Sequence, residues 1–218
     1  MGVLSNMNNT ANPLRIGQVR AYTPPFAQAY ANRGIKLAHV GVPGDGSCFF
    51  HSVCAALNHL DYNQKSATEK GVIGRRFRCK FNKHLTPAKW ASFLKRHDPQ
   101  KRHPQYHAAS LEELRMWFCD GKRWADELMI QYVSEELQLD IMFVDASKGS
   151  VYCGVRGRDE HPVVVVLWLD HSHFEPMMLV LEHKKLERQV RGKMMFHPMH
   201  DKKYIEAIRS MYNQQCPA

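Results

Sequence analysis

An α+β domain, with a small and mainly antiparallel sheet packed against helices, is the class predicted for this 218-residue chain. Helical periodicity dominates from residue 48 to residue 137, and four short β-rich runs follow between 141 and 181. Helices gathered ahead of strands mark that class rather than alternating α/β units. A dense turn signal, Pro43-Gly44-Asp45-Gly46, separates the first extended segment from the first helix.

Taken in order, residues 1 to 33 are rich in Asn, Pro and Ala, show no sustained period, and read as a mostly irregular leader whose Tyr22, Phe26 and Tyr30 can pack on the domain. Residues 35–42 alternate loosely, as a strand does. From Cys48 onward, Phe49, Val53, Ala56 and Leu57 recur at offsets of three and four, which predicts a helix to about Leu60 with Cys48 in its first turn. Residues 67–85 carry Val72, Ile73, Phe77 and Phe81 in the same rhythm, and Thr86-Pro87 opens a helix that reaches Phe93. Ser110 with Glu112 and Glu113 signals another helix start, and residues 124–137 form a further amphipathic segment.

The β-rich runs are residues 141–144, 151–155, 163–169 and 177–181. A last helix is expected over residues 201–212. The organisation is therefore a leader (1–33), a folded domain (34–185) and a basic extension with a helix (186–218).

A composition of 44% hydrophobic and 23% charged residues is that of an ordinary globular protein. The longest apolar run, residues 163–169, is far short of the roughly 20 residues a membrane-crossing helix needs. The N-terminal residues lack the pattern of a secretory signal, and Asn6 breaks the myristoylation pattern. The six cysteines form no C-x-x-C pair, which favours reduced thiols in a cytoplasmic or nuclear setting. His197 and His200 have no cysteine pair nearby to complete a zinc pattern, so no metal is expected.

Positive charge is localised. Residues 75–102 hold ten Lys/Arg against Asp98 alone, and residues 184–209 hold eight against three acids. Such faces could meet an anionic partner, but neither carries a nucleic-acid motif, and a solvated helix face is the favoured reading.

Chemistry concentrates at Cys48. A thiol at a helix N-terminus faces free N–H groups and the positive end of the helix dipole, both of which favour thiolate. Gly44 and Gly46 would let the preceding turn direct amide N–H groups at a developing oxyanion. The competing role is core filling, since free cysteine is often buried. A nucleophile also needs a base from elsewhere in the chain. His173 and Glu175 are two apart, so on an extended backbone they share a face and the carboxylate can orient the imidazole; His171 is the rival base.

Asp45-Gly46-Ser47-Cys48-Phe49-Phe50-His51 resembles the D-G-x-C-x-[FWY]-[RH] motif of the ovarian-tumour (OTU) cysteine proteases, and His173-Phe174-Glu175 resembles their H-[YFW]-[DN] segment. The likeness spans about residues 36 to 185. It implies a papain-like OTU fold, Cys48 as nucleophile, His173 as general base and Glu175 as its orienting partner. Asp45, Gly46, Ser47 and Cys48 would form the oxyanion turn, with Asp45 contributing mainly its backbone N–H. Glu175 stands where the family usually carries Asp or Asn, one methylene shorter.

The resemblance further implies a deubiquitinase that cleaves isopeptide bonds after the C-terminus of ubiquitin or a ubiquitin-like modifier, with polyubiquitin chains as partners and no cofactor. The short form is similar to the compact OTU domains of some viruses, which would place it in a host cell. The alternatives are a catalytically weak ubiquitin-binding relative and a basic nucleic-acid-binding protein.

Overall fold

The computed structural model describes residues 13–22, 36–96, 110–146, 151–155, 160–170, 172–182, 191–202 and 204–206. Its strands are β1 (Val19–Ala21), β2 (Lys36–Val40), β3 (Asp140–Asp145), β4 (Val151–Val155), β5 (Val163–Leu169), β6 (His173–Glu182), β7 (Arg191–Lys193) and β8 (Met195–Phe196). Its helices are α1 (Cys48–Leu57), α2 (Ala67–His84), α3 (Pro87–Arg96), α4 (Leu111–Cys119) and α5 (Glu127–Leu137).

One sheet runs β1-β2-β6-β5-β3-β4, with β7 added to β6 and β8 to β5. Every pairing among the described strands is antiparallel except β3 with β5, which is parallel with Asp140 opposite Val163 and Asp145 opposite Trp168. The fold is thus α+β, as the order of helical and extended segments predicts.

Both faces of the sheet are covered, and sequence parity sorts them. Ile141, Phe143, Val164, Val166 and Phe174 join the helical core of Phe49, Phe50, Phe81, Phe118 and Tyr132. Met142, Val144, Val165, Leu167, Met177 and Leu179 form a second core with Tyr22 of the leader and Phe196 and Ile205 of the C-terminal region. Burial on both faces explains why β5 reads as an unbroken apolar run rather than an alternating one.

Three differences from the sequence expectations have physical causes. The leader contributes β1, paired with β2 through Val19 and Val40, and the extension contributes β7 and β8. Runs of two or three residues are too short to show a period. The helix expected from Trp124 begins at Glu127, because the Asp126 side chain caps it by accepting from the Met129 N–H at 2.9 Å. The strand expected from Met177 begins at His173. Pro176 obscured that start, yet β2 joins β6 only from Met177 onward, so the proline lies where that ladder has not begun. The expected helix over 201–212 lies partly outside the described residues.

The basic helix faces are partly neutralised: Lys89 pairs with Glu136 at 2.7 Å and Arg96 with Glu135 at 2.5 Å, tying α3 to α5. Among the described residues no helix is long and apolar enough to cross a membrane, and no cluster of His, Cys, Asp or Glu could hold a metal ion.

Candidate active site

Cys48 is the first residue of α1, and the turn before it is built to hold one shape. Gly46 has φ +81°, and a Cβ there would lie 2.2 Å from the Gly121 carbonyl oxygen, so both the conformation and the close approach require glycine. Gly44 departs from the sequence expectation. Its φ is not positive, and a Cβ would meet the His173 ring at an ordinary 3.7 Å.

Asp45 braces the turn with its side chain: Oδ1 accepts from the Ser47 N–H at 3.1 Å and meets His51 Nε2 at 3.0 Å, while Oδ2 pairs with Arg75 at 3.1 Å. Burial opposes the charge on Asp45, but His51, the Ser47 amide and Arg75 outweigh it and hold the carboxyl below its usual range. His51 is fully buried and bonds through Nδ1 to the Tyr62 hydroxyl at 3.0 Å. Its ring fits only because residue 74 is glycine, since a Cβ there would fall 2.0 Å from the ring.

A buried arginine grips the same turn from below. Arg78 donates Nη1–H to the Gly46 carbonyl at 2.9 Å, Nη2–H to the Trp117 carbonyl at 2.6 Å and Nε–H to the Phe118 carbonyl at 3.1 Å. Its guanidinium also lies over the Phe50 ring, 5.1 Å from the centroid. The Gly46–Ser47 peptide is therefore held at both ends, its carbonyl by Arg78 and its N–H by Asp45.

His173 opens β6, opposite Leu169 across a short connection. The Ser52 hydroxyl on α1 fixes the distance between helix and strand by bonding both the Cys48 carbonyl at 2.9 Å and the Phe174 carbonyl at 3.1 Å. Cys48 and His173 line one cleft of about 390 Å³, together with Leu14, Ile16, Gly44 and Trp124. Trp124 is 55% exposed and sits at this cleft.

Glu175 is completely buried. Its Oε1 accepts from the Leu14 N–H at 2.7 Å and lies 3.5 Å from His173 Nε2, an ion-pair contact rather than an aligned hydrogen bond. Its Oε2 bonds to His39 Nδ1. Burial would raise the Glu175 pKa, but His173, His39 and the Leu14 amide reverse the effect and bring it down to about 2. Burial likewise disfavours the imidazolium of His173, yet the neighbouring Cys48 sulfur and Glu175 carboxylate prevail and raise it to about 9.

The sequence-predicted residues Asp45, Gly46, Ser47, Cys48, His173 and Glu175 thus lie together, and the rival His171 lies outside the described residues. Sequence reasoning missed His39, Leu14 and Arg78. A histidine within the apolar run of β2 was a signal for the first. Arg78, four residues after Gly74 and three before Phe81, put a cation in the buried stripe of α2. Nothing local marked Leu14, whose part is played by its backbone.

No family model matches the sequence, and no curated protein matches it. Solved structures do. An OTU domain determined in complex with ubiquitin aligns over 93% of this chain and 93% of its own, at 14% identity and a TM-score of 0.51. The OTU of Hazara virus bound to ubiquitin aligns over 78% of this chain and 94% of its own (17% identity, TM-score 0.44), and the viral OTU domain protease from Qalyub virus over 75% and 91% (15%, 0.45). The likeness shows the fold: this chain is folded as an OTU domain is.

The paired shifts predict a stability profile. His173 contributes stability that is complete below its ordinary pKa of 6.5 and is lost as pH rises toward about 9. Glu175 contributes stability present above its ordinary 4.5 and lost as pH falls toward about 2. Urea unfolding of the native chain and His173→Gln should differ most near pH 6 and converge toward pH 9. A difference that does not vary across that range would contradict the ion pair.

Proposed function

We propose that the chain is a thiol-dependent deubiquitinase that hydrolyses the isopeptide bond between the C-terminus of ubiquitin, or a ubiquitin-like modifier, and a lysine amine. The observation that carries this reading is the Cys48 thiol at the start of α1 beside His173, whose far side is backed by a buried carboxylate. The ubiquitin bound to the aligned OTU domain supports the choice of substrate class.

His173, raised to about 9, already holds the proton given up by Cys48 when the sulfur attacks the carbonyl carbon, and Glu175 stabilises that imidazolium. Negative charge moves to the carbonyl oxygen. The Ser47 N–H is already committed to Asp45, so the donor nearest that oxygen is the Cys48 N–H, which at a helix start has no intrahelical acceptor. Asp45 therefore acts by bracing the turn through its side chain, as does Arg78 from the other end. Collapse of the intermediate expels the lysine amine with a proton from His173 and leaves a thioester. Water, deprotonated by His173, then frees the ubiquitin carboxylate and restores the thiol.

The catalytic unit is residues 34–185, with the leader adding the Leu14 contact and residues 186–218 an extension of open role. The cytoplasm or nucleus, of a host cell if the chain is viral, suits a reduced nucleophile. A nucleic-acid role for the basic helices gains nothing from α3, where Lys89 and Arg96 face acids.

Hydrolysis of isopeptide-linked diubiquitins of each linkage tests the proposal. The native chain should release monoubiquitin. Cys48→Ala should have no measurable rate, His173→Ala should lose about 10²–10⁴-fold, and Glu175→Ala should be slowed but active. Turnover that survives Cys48→Ala would refute it, and binding without cleavage by the native chain would leave a ubiquitin-binding protein instead.

A further inference from the structure

We infer that Cys79 and Cys119 form a redox-active dithiol, separate from the catalytic thiol, that closes to a disulfide joining α2 to α4. The two residues are 40 apart in sequence, on helices that pack together, and their sulfurs lie 2.7 Å apart as free thiols. A disulfide needs about 2.0 Å, so bonding requires a displacement of only about 0.7 Å.

Access and polarity support reaction at this pair. Cys119 is exposed and Cys79 half-buried, whereas Cys48 and Cys54 are buried. The Asn82 side-chain amide donates to the Cys119 sulfur at 3.1 Å. Burial and the neighbouring sulfur push the Cys79 thiol up to about 11 against the pull of Arg78 and Lys83, so the exposed partner is the one open to attack. Cys119 is accordingly the sulfur that meets the oxidant, and Cys79 is the one that resolves it.

With a hydroperoxide as oxidant the step balances. The Cys119 sulfur attacks the terminal peroxide oxygen, the O–O bond breaks, an alcohol or water leaves, and Cys119 becomes a sulfenic acid. The Cys79 sulfur then attacks the Cys119 sulfur, the S–O bond breaks and water departs with the Cys79 proton. Two thiols lose two electrons in all, and the peroxide gains them.

The position gives the bond a consequence. Cys79 follows Arg78, and Cys119 follows the Trp117 and Phe118 carbonyls that Arg78 holds while it also grips Gly46. The disulfide therefore fastens the support beneath the Cys48 turn without using Cys48.

The test is limited oxidation of the native chain with hydrogen peroxide, followed by non-reducing peptide mapping. The expected product has lost two hydrogens and carries one dominant link, Cys79 to Cys119, reversed by a thiol reductant. The same oxidation in concentrated urea should spread the pairings over other cysteines. Cys119→Ser, an exposed replacement compatible with folding, should yield no intramolecular link to Cys79. Recovery of both residues as free thiols or as separate sulfinic acids, or a dominant link between other cysteines in the folded chain, would overturn the inference. None of these readouts depends on deubiquitinase activity.

Discussion

Replacing Arg78 with methionine is expected to lower the unfolding free energy by about 3–5 kcal/mol, the largest stability loss of any single change considered. A buried arginine is often replaceable by an apolar residue when its partners leave with it. Here they remain. The carbonyls of Gly46, Trp117 and Phe118 would each lose a donor, and a buried unsatisfied carbonyl costs about 1–3 kcal/mol. Arg78→Lys should recover only part of the loss, because one ammonium cannot reproduce a planar fork reaching three acceptors. Urea unfolding at neutral pH measures both variants. A loss below about 1 kcal/mol for Arg78→Met would mean that the surrounding helices relax to satisfy those carbonyls themselves.

Gly46→Ala is expected to strike activity harder than stability. An L-residue in the left-handed region costs about 1–2 kcal/mol, and the new methyl would also sit 2.2 Å from a backbone oxygen that cannot swing away. The chain can relieve both only by turning the peptide that Arg78 and Asp45 hold, which displaces the start of α1 and the Cys48 N–H with it. Loss of one oxyanion donor typically costs about 10²–10³-fold in turnover. Steady-state hydrolysis of diubiquitin should therefore fall by at least that factor while the protein remains folded by circular dichroism. Unchanged turnover would show that the turn does not carry the oxyanion.

Why so much of the site was legible from the sequence can be seen in the residues themselves. Cys48 announced its position because the apolar rhythm of α1 begins immediately behind it and a turn lies immediately ahead. His173 and Glu175 announced theirs because a two-residue spacing on a strand shares one face. The illegible parts depend on distant chain segments meeting. His39 reaches Glu175 only because β2 pairs with β6, with His39 opposite Met177, and strand pairing is not written in either strand alone. Leu14 acts through a backbone amide that any residue could supply. Glu175, one methylene longer than the residue usual in OTU domains, extends to three partners at once rather than standing behind His173 alone.

In the proposed reaction Cys48, activated by His173, attacks the C-terminal carbonyl of ubiquitin. The most direct test is incubation with ubiquitin carrying an electrophile in place of that carbonyl, followed by intact-mass analysis and peptide mapping. One ubiquitin per chain, attached at Cys48, absent in Cys48→Ala and nearly absent in His173→Ala, is the predicted result. A native chain that stays unmodified, or a Cys48→Ala chain that is labelled as fully as the native one, would contradict it.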